Sequence, residues 1–401
     1  MKLRLFLRLN KPMHRLKILL LILPFICVQS KCSGTKDLTA QTNDSLPLAD
    51  SIVTFTISSV GDLMCHSTQF NFAKVAEDSF NFEPCFEYIL PWLQKPDLLL
   101  GNLETTLAGN KQAYSGFPYF NTPDDYAIAL KNIGFDFLIT ANNHSNDTGE
   151  KGILRTIKQL NAFGFNTTGT YTSQNDRDSI RIVDVKGVKI AIMAYSYSTN
   201  GLPLATGKPW LVNMCDSVLI KRDIETSRSL GAELVVVFYH FGEEYQRLPS
   251  KYQENFVNFA VDCGADVVFG SHTHVLQPAT FIKGVNSTVD SVFVAYSMGN
   301  FISNQQDEYT DEGVIFNLHF EKNLHSNKIV LTKADYVPTW VYKGKHEAKK
   351  LHVVFPAFDP NDPKLPEFVQ QFYKDEIQKA ITNTTKTMNT YTSSIKPATI
   401  E

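Results

Sequence analysis

Cysteine is scarce and falls in no pattern. The chain of 401 residues has 6, and Cys65, Cys85, Cys215 and Cys263 match the spacing of neither a zinc ribbon nor a redox pair. A thiolate zinc site is thereby excluded, and the four read mostly as buried thiols, although an oxidising compartment would permit a disulfide. No acid precedes Asp37, no internal repeat recurs, and the apolar run Ile18 to Val28 is too short to span a bilayer. Positive charge is lacking as well. With residues 1–31 set aside, 31 basic residues face 41 acidic ones, about −10 net, so broad attraction to nucleic acid or an anionic membrane is not expected.

What is present is a large core and a distinctive start. Hydrophobic residues make up 43% of the chain and include 28 Phe, enough for a sizeable globular α/β body. Lys2, Arg4, Arg8, Lys11, Arg15 and Lys17 precede the apolar run, the layout of a secretory signal. Residues 1–31 therefore read as a secretory or lipoprotein signal. Cys32 is the candidate lipid anchor, because a polar linker follows it, although Ser30-Lys31 is a poor match for the residues before a lipidated cysteine. Residues 32–50 read as a flexible tether, 51–303 as the main domain and 304–382 as an extension packing on it. The Thr-, Asn- and Ser-rich residues 383–401 read as a disordered tail.

Strands can be placed by short apolar or alternating runs, and their ends share a chemistry. Ile52 to Ile57 leads to Gly61-Asp62 and then His66; Asp97 to Leu100 leads to Glu104; Phe135 to Thr140 leads to Asn143-His144 and Asp147. Leu234 to Tyr239 ends at His240, and Val267 to Phe269 ends at Gly270-Ser271-His272-Thr273-His274. Helices are expected over about 149–163, 216–230, 251–263 and 366–382. In open α/β sheets, ligands gather where the carboxyl ends of strands meet.

Five strand tips thus offer a ligand for a hard or borderline cation, and five of the 10 His lie in these turns. Carboxylate, amide and imidazole together suit Mn, Fe or Zn in a two-metal site rather than a closed structural zinc. A carboxylate between two cations offsets their repulsion, and imidazoles add ligation without charge. Each residue also has a plainer reading: Asp62 as a turn cap, Glu104 as a solvated loop acid, Asn143 and His144 as an ordinary turn. His66 is the weakest candidate, because three residues lie between it and Asp62. Glu243 and Glu244 read as solvated or substrate-facing, and Met64 and Met298 as packing.

Taken together, Gly61-Asp62, Asn102-Leu103-Glu104, Asn142-Asn143-His144 with Asp147, His240-Phe241-Gly242-Glu243, Ser271 to Pro278 and Tyr296 to Phe301 resemble the CapA family, named for capsule synthesis of poly-γ-glutamate. The likeness covers about residues 53–303. It implies a calcineurin-like metallophosphoesterase fold, two sheets sandwiched between helices in four layers, holding two divalent metal ions. Carried over, it puts Asp62 and His274 on one ion and Asn143, His240 and His272 on the other, with Glu104 bridging. His144 would protonate the leaving group and Asp147 would orient it. The chain departs from the wider pattern at Met64, where a histidine is usual, so that His66 is the substitute ligand to consider. It departs again at Glu104, where an aspartate is usual, and at Asn142, where a glycine is usual. The implied function is envelope polymer biosynthesis by a hydrolase acting on an anionic polymer, a phosphate ester or a γ-glutamyl amide, beside a capsule synthesis membrane complex. The implied place is the cell envelope, in the periplasm or as an anchored lipoprotein. The alternative is a non-catalytic envelope protein of the same fold that retains or exports polymer.

Overall fold

The computed structural model describes residues 51–346 and 349–399. The signal, tether and lipid-anchor expectations fall on residues 1–50 and lie outside the described residues.

Two sheets form the body, and the residues explain which strands lie at their centres. Leu234–His240 and Val267–Ser271 are buried at every position, as parallel strands covered on both faces must be. They pair in parallel, with Ser291–Ala295 beyond one and Val188–Ser196 beyond the other. Ala279–Lys283 and Arg181–Val185 close the edges in antiparallel fashion. Ser196 and Ser271 both stand opposite His240 in register, so three strand tips come level.

The larger sheet runs Lys349–Pro356, Ile329–His346, Glu312–Asn323, Ile52–Leu63, Leu98–Leu103, Phe137–Ile139, Asn166–Thr168. Asn300–Ile302 lies parallel to the tip of Ile52–Leu63. Because side chains alternate across a strand, Ile57, Leu98, Leu100, Phe137 and Ile139 pack against the second sheet. Val60, Leu99, Leu103 and Leu138 face the other way, with helices Asp124–Asn132 and Gly149–Ala162. Helices Ser217–Ser229 and Lys251–Cys263 cover the outer face of the second sheet through Ile220, Ile224, Val257 and Val261. The result is the expected four-layer α/β sandwich.

The C-terminal part is built in rather than packed on. Glu312–Asn323 pairs directly with Ile52–Leu63, from Ile52 opposite Asn323 to Val60 opposite Ile315. The expected single helix over 366–382 is two, Glu367–Phe372 and Lys374–Met388. The disordered tail expected over 383–401 is corrected: Lys396–Pro397 adds a parallel strand beside Asp335 and Tyr336, and Ala398 N–H donates to the Tyr336 carbonyl at 2.7 Å. The anchors are Met388 and Ile395, both buried. Two apolar residues in a Thr- and Asn-rich stretch leave composition unchanged yet fasten it. The four cysteines are free thiols, with Cys65 buried and the others half-buried. Among the described residues no helix is long and apolar enough to cross a membrane.

Two stability predictions follow from this end of the chain. Ile395→Ala should cost about 2–5 kcal/mol in chemical denaturation, and a loss under about 0.5 kcal/mol, typical of a surface change, would mean the segment does not dock. Glu312 is 3% exposed and one of its oxygens accepts from Asn383 Nδ2 at 2.6 Å. Burial, reinforced by Asp311, pushes its carboxyl from 4.5 up to about 7 against the pull of Asn383, Arg247 and Lys379. A raised carboxyl favours the fold while neutral, so its contribution is complete below the ordinary value and is lost as pH climbs to 7. Glu312→Gln, neutral throughout, should be the more stable protein at pH 8 by on the order of 3 kcal/mol, with the difference closing near pH 4; a pH-independent difference would refute the assignment.

Candidate metal centre

The tips of both sheets meet at one buried point. Asp62 is carried there by a close approach of two glycines: Asp62 N–H donates to the Gly299 carbonyl at 3.0 Å, and a side chain at Gly61 would overlap that carbonyl. Glu104 follows Leu98–Leu103 directly, and Asn143 lies in the turn after Phe137–Ile139. His240 is the last residue of its strand. His272 and His274 both have left-handed backbones, with φ of +100° and +61°. Side chains other than glycine enter that region at a cost of about 1–3 kcal/mol. Here hydrogen bonds hold the turn: Ser271 Oγ donates to Asp62 Oδ1, His272 N–H to Asp62 Oδ2 at 3.3 Å, and Tyr245 N–H to the Thr273 carbonyl at 2.8 Å.

The donor atoms converge. His240 Nε2 is 2.7 Å from Asn143 Oδ1 and 3.5 Å from Glu104 Oε1. Adjacent ligands around an octahedral ion with bonds of about 2.1 Å lie about 3 Å apart, so these spacings fit one ion's shell. Glu104, His272 and His274 form one group able to hold a cation, and Asp62, Glu104 and His240 form another. Glu104 is common to both. The resemblance pairs His274 with Asp62 and His272 with His240, and the two groups in the structure divide the histidines differently; with all four side chains within one pocket, the shared Glu104 is the firmer result.

His144 stands beside this pocket. Its Nδ1 is 2.7 Å from Asp147 Oδ2, which also accepts from Phe120 N–H at 2.7 Å. Since that oxygen is an acceptor, Nδ1 carries the proton and Nε2 is the working nitrogen. His66 does not join either group. It precedes helix Ser67–Ala73, and its Nδ1 accepts from Asn304 N–H at 3.3 Å. Burial lowers its imidazole to about 4. Met64 is buried packing, as is Met298, and Glu243 and Glu244 are exposed.

The family model described as bacterial capsule synthesis protein PGA_cap matches residues 56–305, which contain every one of these side chains. The chain belongs to the PGA_cap family. The capsule biosynthesis protein CapA of Bacillus anthracis is 30% identical to this PGA_cap chain over 275 residues, 67% of this chain and 64% of that protein. The chain thus spans a little under two thirds of that relative's length. The PGA biosynthesis protein CapA of Bacillus subtilis is 27% identical over 270 residues, 66% of this chain and 68% of that one. Among solved structures, the NAD nucleotidase of Haemophilus influenzae overlaps with a TM-score of 0.46 at 15% identity, over 88% of this chain and 65% of that one. The calcineurin-like phosphoesterase YfkN of Bacillus subtilis overlaps with a TM-score of 0.41 at 14% identity, over 83% and 98%.

Electrostatics of the PGA_cap pocket say what it needs. Both oxygens of Glu104 and Nδ1 of His272 are buried without a hydrogen-bond partner. Burial and the neighbouring Asp62 push the Glu104 carboxyl far above its ordinary value. Burial alone would do the same to Asp62, but His274 and His240 hold it well below. Burial and His274 lower the His272 imidazole to about 3, and burial with His272 holds His240 well below the ordinary imidazole value. Two carboxyls and three imidazoles buried together, with no lysine or arginine among them, make a donor set that divalent cations would complete. The donor set fits them.

Several supporting residues carry no signal as ligands in the sequence. Asn102 Nδ2 donates to Asp62 Oδ1 at 2.7 Å, and its own Oδ1 accepts from Asn142 Nδ2 at 3.2 Å. An amide at a strand tip, with no turn to cap, is the one clue that points to such a role. Glu104→Gln should raise the melting temperature of the metal-free protein, by removing a buried unpartnered acid, while abolishing the upward shift that Mn2+ gives the unaltered chain. A variant that lowers the metal-free midpoint and keeps the Mn2+ shift would contradict this account.

Proposed function

We propose that the chain is an exported cell-envelope protein of capsule or poly-γ-glutamate-type polymer biosynthesis, and that it is a dinuclear metal-dependent hydrolase. The observation that carries the hydrolase reading is Glu104, buried between two sets of ligands with neither oxygen engaged. Asp62, Glu104, Asn143, His240, His272 and His274 would hold two divalent ions, Mn, Fe or Zn. When bound, the ions would supply a water made nucleophilic at neutral pH and positive charge for an anionic transition state.

The chain's own residues account for the remaining steps. Asp147 holds the Nδ1 proton of His144 and turns the ring, so that in the doubly protonated imidazolium Nε2 can deliver its own proton to the departing oxygen or nitrogen and return to the neutral Nδ1–H form. Phe120 packs edge-on against His144 at 4.6 Å between ring centroids and limits its rotation. The sandwich walls exclude water from Asp62 and Glu104, which strengthens their hold on cations. The substrate class proposed is an anionic polymer, a phosphate ester or a γ-glutamyl amide. The place proposed is the envelope, beside a capsule synthesis membrane complex and tethered at Cys32.

The test begins with metal content and proceeds to turnover. Protein loaded with Mn2+ should release nitrophenol from aryl phosphate mono- or diesters, or shorten poly-γ-glutamate. His144→Ala should lower kcat by about 10²–10⁴ with metal content unchanged. Protein that holds no stoichiometric metal, or that is indifferent to His272→Ala, would favour the polymer-retaining scaffold instead.

A further inference from the structure

Asn300 is the residue whose position the proposed chemistry has not used. It follows Gly299, stands opposite Asp62 in parallel register, and is fully buried. Its amide orientation is determined by its neighbours. Nδ2 donates to the Thr310 carbonyl at 3.0 Å and to Gln305 Oε1 at 2.9 Å, so both amide hydrogens are spent on oxygens. Oδ1 must then be the atom 3.1 Å from His274 Nδ1. An oxygen there can only accept, so His274 carries its proton on Nδ1 and offers Nε2 as the ligand.

Asp62 Oδ2 also lies 3.3 Å from His274 Nδ1. If Asp62 were the only acceptor, the same carboxylate would have to orient a histidine and bind a cation. We propose that Asn300 is a positioning residue that fixes the tautomer and ring plane of His274 and thereby releases Asp62 for metal binding. This rests on the reading of the pocket as a metal site. Gln305 extends the arrangement outward: its Oε1 holds Asn300 and its Nε2 reaches the hydroxyl of Tyr245, an exposed residue at the mouth. The ligand is therefore set from behind by a rim segment, not by its own turn alone.

Two measurements on the whole chain test it. In long-range 1H–15N spectra of metal-free protein, with the His274 signals assigned by their loss in His274→Ala, His274 should show the Nδ1–H tautomer, and Asn300→Leu should convert it to a mixture. In calorimetry with Mn2+ or Zn2+, Asn300→Leu should bind about 10–100-fold more weakly. Asn300→Asp, which keeps the acceptor and loses both donations, should bind near the unaltered level. Melting temperature and circular dichroism confirm that each variant is folded, and if Asn300→Leu fails to fold, the unaltered chain and Asn300→Asp still decide. An Nε2–H tautomer in the unaltered chain, or Asn300→Asp binding as weakly as Asn300→Leu, would overturn the proposal. A chain that binds no metal yet shows the Nδ1–H tautomer would sink the metal reading and leave the assignment of Asn300 standing.

Discussion

The burial of Glu104 against a second acid, Asp62, is the constraint around which this protein is arranged. Glu104 sits beside Asp62 where two sheets converge, and no donor satisfies either of its oxygens. Leaving one such group in a dry interior is unfavourable by several kcal/mol. Around it the body is large and well packed, with a core running from Phe55 of one sheet to Phe293 of the other. The local geometry is constrained as well: two left-handed histidines and the Gly61–Gly299 contact are conformations a chain adopts only when surrounding structure forces them.

Much of this is readable in the residues, and the reason is periodicity. Buried parallel strands such as Leu234–His240 are runs of β-branched side chains, and the first polar residue after each marks the tip. Chemistry placed at tips is therefore visible as a change of character along the chain. Asp62, Glu104, Asn143, His240, His272 and His274 lie at or within a few residues of such changes, and the structure brings all six together. Asn300–Ile302 and Asn166–Thr168 are too short for any pattern to appear, so their place is set by pairing alone. Asn300 consequently looked like part of a motif with no assigned role. His66 shows the opposite failure: Met64 standing where the family pattern has a histidine makes it the substitute ligand to consider, whereas its ring is engaged by Asn304.

The tail misled for a different reason. Thr, Asn and Ser dominate residues past 383, and composition averages over the few side chains that decide docking. Asn383 and Thr387 are themselves part of the attachment: Asn383 reaches Glu312, and Arg247 donates to the Asn383 carbonyl and the Thr387 hydroxyl. Arg247 also stacks on Tyr309 at 4.0 Å. The helix Lys374–Met388 thus grips two segments that border the pocket, the one after His240 and the one before Glu312.

The pairing of Ile52 with Asn323 bears on the order in which the molecule can be made. During synthesis the opening strand must wait, one edge bare, until almost the entire polypeptide has emerged, because its antiparallel neighbour is encoded near the far end. Gly299 and Asn300, which seat Asp62 and His274, arrive late as well. A nascent fragment therefore lacks the finished cluster of Asp62, Glu104 and the histidines, which closes only once residues near 300 and 320 have joined the sheet.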